Sequence, residues 1–364
     1  MFVFNRASFL TTWLVVLAGA FSTASAQQAQ VIATGLDNPR GIAFGPDGNL
    51  YVVEAGRGGT STLCLPNPTG PGERCYGPSG AVTRVTPAGG QLRVLTGLPS
   101  LADQSQSGNE ATGPHDIDFG FGSAFITVGS GGDPATLAPL RAAGHPFGML
   151  LHVSLQGVVT PMVDIAAHET AANPDGGAVD SNLYGMAILS DRGVFTDAGG
   201  NSLLQVDVGL NVTTLATFPT RTATGPGGPV DMQSVPTSVV EGPDGSLYVG
   251  ELTGFPFPVG DARVYRVPAA GGTPVVVADG FTNIIDIAIG PDGSAYVLEF
   301  DADGLLGPGT AGRLTKIGPF GFREELAAGE LMHPGRMAIG PDNAVYVTVN
   351  SASAGTGQVV RIAQ

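Results

Sequence analysis

One phrase recurs along this chain and limits what it can become: a short apolar strand, the turn Gly-Pro-Asp-Gly, and a second apolar strand. Near-identical copies read RGIAFGPDGNLYVVE (40–54), TSVVEGPDGSLYVGE (237–251) and IDIAIGPDGSAYVLE (285–299). A fourth at 335–349 has Asn in place of the second Gly, and weaker copies occupy 115–128 and 184–197. Pro sets φ at the first turn position, Asp can bond nearby backbone, and Gly accepts positive φ. Each copy therefore predicts a β-hairpin.

Aligned on their turns, the copies begin at Gly45, Gly120, Leu189, Gly242, Gly290 and Gly340, with successive spacings of 75, 69, 53, 48 and 50 residues. A repeat of about 50 residues built on hairpins is the size of a four-stranded propeller blade. Third strands are predicted at 81–85, 149–154, 202–207, 263–267, 313–317 and 358–362. Fourth strands are predicted at 93–98, 158–165, 212–218, 274–281 and 323–330, which leaves the sixth blade one strand short. The segment QVIATGL (30–36) resembles the fourth strand RVLTGL (93–98) and precedes the first hairpin. The expectation is an all-β, six-bladed propeller of antiparallel blades whose last blade is closed by the N-terminal strand. A β-sandwich gives no reason for six equivalent turns.

Composition fits this plan and excludes some functions. Glycine and proline number 56 and 28, while charged residues are 13% of the chain, so turns are abundant and long helices are not expected. The net charge is −15 and Lys316 is the sole lysine, which is the wrong balance for a nucleic-acid partner. Residues 1–26 read as a signal peptide: Arg6, an apolar run from Phe9 to Phe21, then Ala24-Ser25-Ala26. Residues 27–364 then form one propeller domain, with no membrane span in the mature chain and a secreted or periplasmic location. In that setting Cys64 and Cys75 are expected to form a disulfide across a Gly/Pro-rich surface loop.

The blade phrases NPRGIAFGPDGNLYVVEAG and NIIDIAIGPDGSAYVLEF resemble NHL-repeat and lactonase-type six-bladed propellers. Over residues 30–364, including GPHDIDFG of the second blade, the chain resembles the ScyD/ScyE family of exported propeller proteins. That resemblance implies a propeller fold and export, and it carries no established catalytic motif.

Propeller topology assigns the repeated tight turns to one face and every long loop to the other: 55–80, 99–113, 129–147, 166–182, 219–235, 252–262 and 300–311. Long loops gathered on one side of a rigid scaffold mark that side for binding. Arg40, His115, Asp116, Tyr184, Asp286 and Arg336 begin innermost strands, and Glu54, Glu251 and Glu299 end second strands. Both sets are expected at the mouth of the central channel as ligand-binding residues. Acids, arginines and a histidine there suit a small molecule, glycan or protein partner.

The competing expectation is a lactonase-like, metal-dependent hydrolase or a lyase. Asp116, Asp286, Glu54 and Glu299 offer oxygen donors for Ca2+ or Mg2+, although the donor pattern of lactonase propellers is not matched residue by residue. His115 is the best-placed acid–base residue, His145 and His168 lie in long loops, and His152 alternates within a strand as a structural residue would. Asp301-Ala-Asp303-Gly304 begins like a calcium loop but lacks its closing Glu, and the glycine run 307–312 lies between strands with no helix to follow.

Overall fold

The computed structural model describes residues 28–67 and 71–364, so the expected signal peptide lies outside the described residues. Six antiparallel four-stranded blades surround a central axis, as the repeats predict. The innermost strands are Pro39–Phe44, Pro114–Gly120, Leu183–Ile188, Pro236–Glu241, Ile284–Ile289 and Met337–Ile339. Each is followed by its hairpin partner, a third strand and an outer strand. In the sixth blade the outer strand is Gln30–Leu36, which runs antiparallel to Gly357–Ile362 with Gln30 opposite Arg361 and Leu36 opposite Gly357. The ring is closed by the pairing expected from sequence.

The turn motif has a packing reason. A Cβ at Gly45 would lie 2.6 Å from the Tyr51 ring, and one at Gly340 would lie 2.5 Å from Tyr346, so in the four clear copies the tyrosine packs on bare backbone. The Tyr51 hydroxyl also donates to Asp47 Oδ2 at 2.9 Å, tying the turn to its second strand. The later turn glycine is left-handed, with φ of 74° at Gly48 and 73° at Gly245. Asn343 stands at φ 61° in the sixth copy, and Asn is among the few side chains that adopt this region readily. The core is a chain of apolar clusters between neighbouring blades, such as Val53, Leu98, Ile117 and Ile126 between the first two.

Some expected loops have structure of their own. Residues 219–235 hold the hairpin Arg221–Gly225 with Gly228–Met232, and 166–182 continue from the helix Ile165–Ala172. The outer strand expected at 323–330 is shorter, Arg323–Leu326. In the first blade the third strand extends to Glu73–Val85 and carries an added strand, Cys64–Pro66. Cys64 sits directly opposite Cys75 in that added pair, and the two form the expected disulfide. Among the described residues no helix is long and apolar enough to cross a membrane.

Candidate functional site

The inner strands do bring six of the predicted residues to the axis, where Arg336 acts as the hub. From the sixth blade its Nη1 donates to Asp286 Oδ1 of the fifth at 2.8 Å, and its Nη2 donates to the Thr237 carbonyl of the fourth at 2.8 Å. Asp116 Oδ2 of the second blade lies 3.4 Å from Nη2, and the guanidinium stands 5.4 Å from the centroid of the Tyr184 ring of the third. Both aspartates also accept backbone N–H groups from the next blade, Met186 to Asp116 at 2.9 Å and Met337 to Asp286 at 2.8 Å. Threonines continue the linkage: Thr127 donates to the Tyr184 carbonyl, Thr237 to that of Ile284, and Thr348 to that of Arg40. The close approach depends on small residues. A Cβ at Gly185 would lie 2.7 Å from Arg336 Nη2, and one at Gly41 would lie 2.5 Å from the Asp116 Cα.

This hub does not suit a divalent cation. Arg336 occupies the space between Asp116 and Asp286, and their oxygens already accept hydrogen bonds. Among the described residues no group of three or more His, Cys, Asp and Glu is arranged to hold a metal. His115 is buried beside the hub, 4.7 Å from Tyr184 between ring centres, with Nδ1 3.1 Å from the Leu183 carbonyl. That contact requires the proton on Nδ1. Burial, with Arg40 adding to it, drives His115 down to about 3, so it stays neutral at physiological pH and is a poor base there. Arg40 donates to the Ala111 carbonyl at 3.2 Å.

The three glutamates are not at the channel, which corrects the expectation for Glu54, Glu251 and Glu299. Each is fully buried inside its own blade, where it secures the link from the preceding blade. Glu54 accepts the Asp37 N–H at 2.7 Å, the Thr83 hydroxyl, and both Nε and Nη2 of Arg93. Glu299 accepts the Thr282 N–H at 2.6 Å, and Glu251 accepts the Ser234 hydroxyl at 2.6 Å and Arg221 at 2.5 Å. Asp197 does the same work in the third blade, accepting Asn182 N–H at 2.7 Å. The other histidines are occupied as well. His145 stacks on Tyr76, His333 stacks on Phe300, His168 meets Thr214, and His152 meets Ser123 at 2.9 Å. Asp301 caps a turn by accepting the Asp303 N–H at 3.0 Å.

These burials set a pH dependence. Burial raises Asp116, Glu169, Glu251 and Glu299 each to about 7. Between their ordinary values and 7 the folded protein therefore holds protons that the unfolded chain has released, and stability falls as pH rises through that window. His115 works in the opposite direction from pH 3 to its ordinary value of 6.5, above which the carboxylates act unopposed. The melting temperature is expected to be higher at pH 6 than at pH 8. A rise across that interval would show that the four carboxylates are ionised in the fold.

On the long-loop face a cavity of about 410 Å3 is walled by loops of the first four blades. Arg74 comes from the disulfide-bonded strand pair, Asp103, Gln106, Asn109, Glu110 and Thr112 from the link to the second blade, and Gly131 and Gly132 from the second blade's loop. Asp180, Asn182, Gly199 and Gln233 also line it. Sequence reasoning placed these loops on the binding face but named none of these side chains. A larger groove of about 700 Å3 lies on the tight-turn face between the first two blades and is mainly apolar, with Tyr51, Phe119 and Leu155 among its walls.

No family model matches the chain, and no curated protein matches it. Solved structures do. Virginiamycin B lyase from Staphylococcus aureus aligns with a TM-score of 0.51 at 11% identity, over 93% of this chain and 99% of its own. An auxiliary nutrient binding protein from Bacteroides thetaiotaomicron aligns at 0.54 and 10%, over 90% and 69%. Regucalcin, a calcium-binding protein from Agrobacterium tumefaciens, aligns at 0.50 and 14%, over 92% and 93%. Fold and comparisons together place the chain among six-bladed β-propellers of the kind these proteins share.

Proposed function

We propose that this is an exported binding or accessory protein that holds a small molecule or glycan in the long-loop cavity. The observation that carries the reading is the division of polar groups. At the axis Arg336 is paired with Asp116 and Asp286 across blades, whereas the cavity above gathers amides, carboxylates and Arg74 in about 410 Å3, a volume suited to a small ligand. A secreted or periplasmic location follows from the signal-like N-terminus and accords with the disulfide. Membership of the ScyD/ScyE family, and a role with an exported secondary metabolite or envelope component, belong to the same proposal and rest on the blade phrases.

Neighbours of the same fold include a nutrient binding protein and a lyase, so fold alone does not choose between binding and chemistry. The site favours binding, since Asp116 and Asp286 are committed to Arg336 and His115 is held neutral. The test is a melting-shift screen of small molecules, glycans, Ca2+ and Mg2+, run on the protein and on Gln233→Trp, which fills the cavity. A ligand that stabilises the first and not the second supports the reading. Stabilisation by Ca2+ or Mg2+ that disappears in Asp116→Asn or Asp286→Asn overturns it in favour of the metal-dependent hydrolase.

A further inference from the structure

One wall of the cavity carries Arg74, a cation in no ion pair among the described residues, while Asp103, Glu110 and Asp180 line other parts of the same cavity. Arg74 is 6% exposed, yet its Nη1 donates to the Thr112 hydroxyl at 2.7 Å and its Nη2 to the Gly131 carbonyl at 3.2 Å, both neutral acceptors. Among the described residues its Nε is buried without a partner. Burial alone pulls Arg74 down to about 10, with no carboxylate holding it up, so it remains charged at neutral pH. Arg336, equally buried, has Asp116 and Asp286 beside it. Burying a charge without a partner is costly, and such a group in a cavity is a mark of a site whose counter-ion arrives with the ligand.

A guanidinium has five N–H donors in a planar fork. Arg74 spends two on Thr112 and Gly131, leaving Nε–H and one hydrogen on each terminal nitrogen. Its position is fixed, because Arg74 lies next to Cys75, opposite Leu65, in the pair stapled by the disulfide. Elsewhere on the wall stand acceptors: among the described residues Asn182 Oδ1 is buried without a partner, and the Asp180 carboxylate, which accepts the Gly132 and Ser181 backbone N–H groups, keeps further lone pairs. The cavity thus offers a cationic fork at one place and acceptors for hydroxyl donors at another.

Building on the cavity reading, we propose that the ligand is a small hydroxylated organic acid whose carboxylate docks on Arg74 and whose hydroxyl groups face Asn182 and Asp180. Arg74 serves as the counter-ion and sets the charge class that the cavity accepts.

The test titrates the disulfide-intact protein with glycolate, malate, citrate and glucuronate, each beside a neutral amide or alcohol counterpart, and with inorganic phosphate. Melting temperature and calorimetry are the readouts. At least one carboxylate is expected to bind while its neutral counterpart does not. Arg74→Met should lower that affinity at least about tenfold, and Arg74→Lys, which keeps the charge without the fork, should lower it less. If Arg74→Met does not fold, the Lys variant carries the comparison, and equal affinity of the Lys variant and the parent overturns the docking role. Phosphate binding without carboxylate binding, or no carboxylate binding in the set, also overturns the inference. A neutral compound that binds the parent and Arg74→Met alike overturns it too, while leaving the cavity reading standing.

Discussion

Arg336→Met is expected to lose about 3–5 kcal/mol of folding stability, the cost typical of removing one partner from a buried ion pair. Methionine approximates the length of the arginine stem, so little of the loss comes from an empty volume. What remains is two aspartates, 6% and 5% exposed, facing each other across the axis with no cation between them. The Thr237 carbonyl and the Tyr184 ring lose their partner in the same step. Combining Arg336→Met with Asp116→Asn and Asp286→Asn should recover much of the loss, because the amides remove the uncompensated charges and their oxygens can keep the backbone bonds from Met186 and Met337, although each amide has two N–H donors to place. Denaturant unfolding of the single and triple variants measures both numbers. A single-variant loss below about 1 kcal/mol, the range of surface pairs, would mean that the hub is not the keystone its contacts describe.

Deleting residues 28–36 is expected to leave a chain without a stable, soluble fold. The deletion removes Leu36 and Ala33, 0% and 3% exposed, and uncovers Val359. It also strips the hydrogen-bonded partner from Gly357–Ile362, turning the sixth blade into an open edge of the kind that invites aggregation. The combined loss is comparable with a domain's whole margin of about 5–15 kcal/mol. Size-exclusion chromatography and circular dichroism of the deleted chain, with and without a peptide spanning 28–38, provide the check. Rescue by the peptide is the expected outcome, and a monomer that folds and melts like the parent would contradict it.

The fold was legible because its turns repeat in sequence: four clear copies and two weak ones, read with the regular spacing, fixed blade number and closure. The inner-strand residues were legible for the same reason, since Arg40, His115 and Tyr184 hold one repeat position and Asp116, Asp286 and Arg336 the next, both beside the axis. Position in a repeat does not say which way a side chain turns at the end of a strand, and so Glu54, Glu251 and Glu299 were misplaced. Their true role had a trace in sequence, because Asp197 ends the third blade's second strand as Glu54 ends the first's. Arg74 left less to read. It lies in an insertion with no counterpart in the other blades, and its burial depends on Thr112 and Gly131, which come from other loops. Its one sequence signal is its place beside Cys75, which fixes a charged side chain where a free loop would let it reach solvent.

The closing strand also sets an order of events. Gln30–Leu36 leaves the ribosome well before its partner Gly357–Ile362 is made. During synthesis the first strand has nothing to pair with, and joining it to the last means closing a loop nearly as long as the protein. Ring closure is therefore a late and slow step, as expected for contacts so distant in sequence. Until then the polypeptide is an open chain that can still be threaded through a narrow opening. Once the circle is complete, the same long-range seam has to open before the blades can come apart, so the clasp that delays folding also delays unfolding.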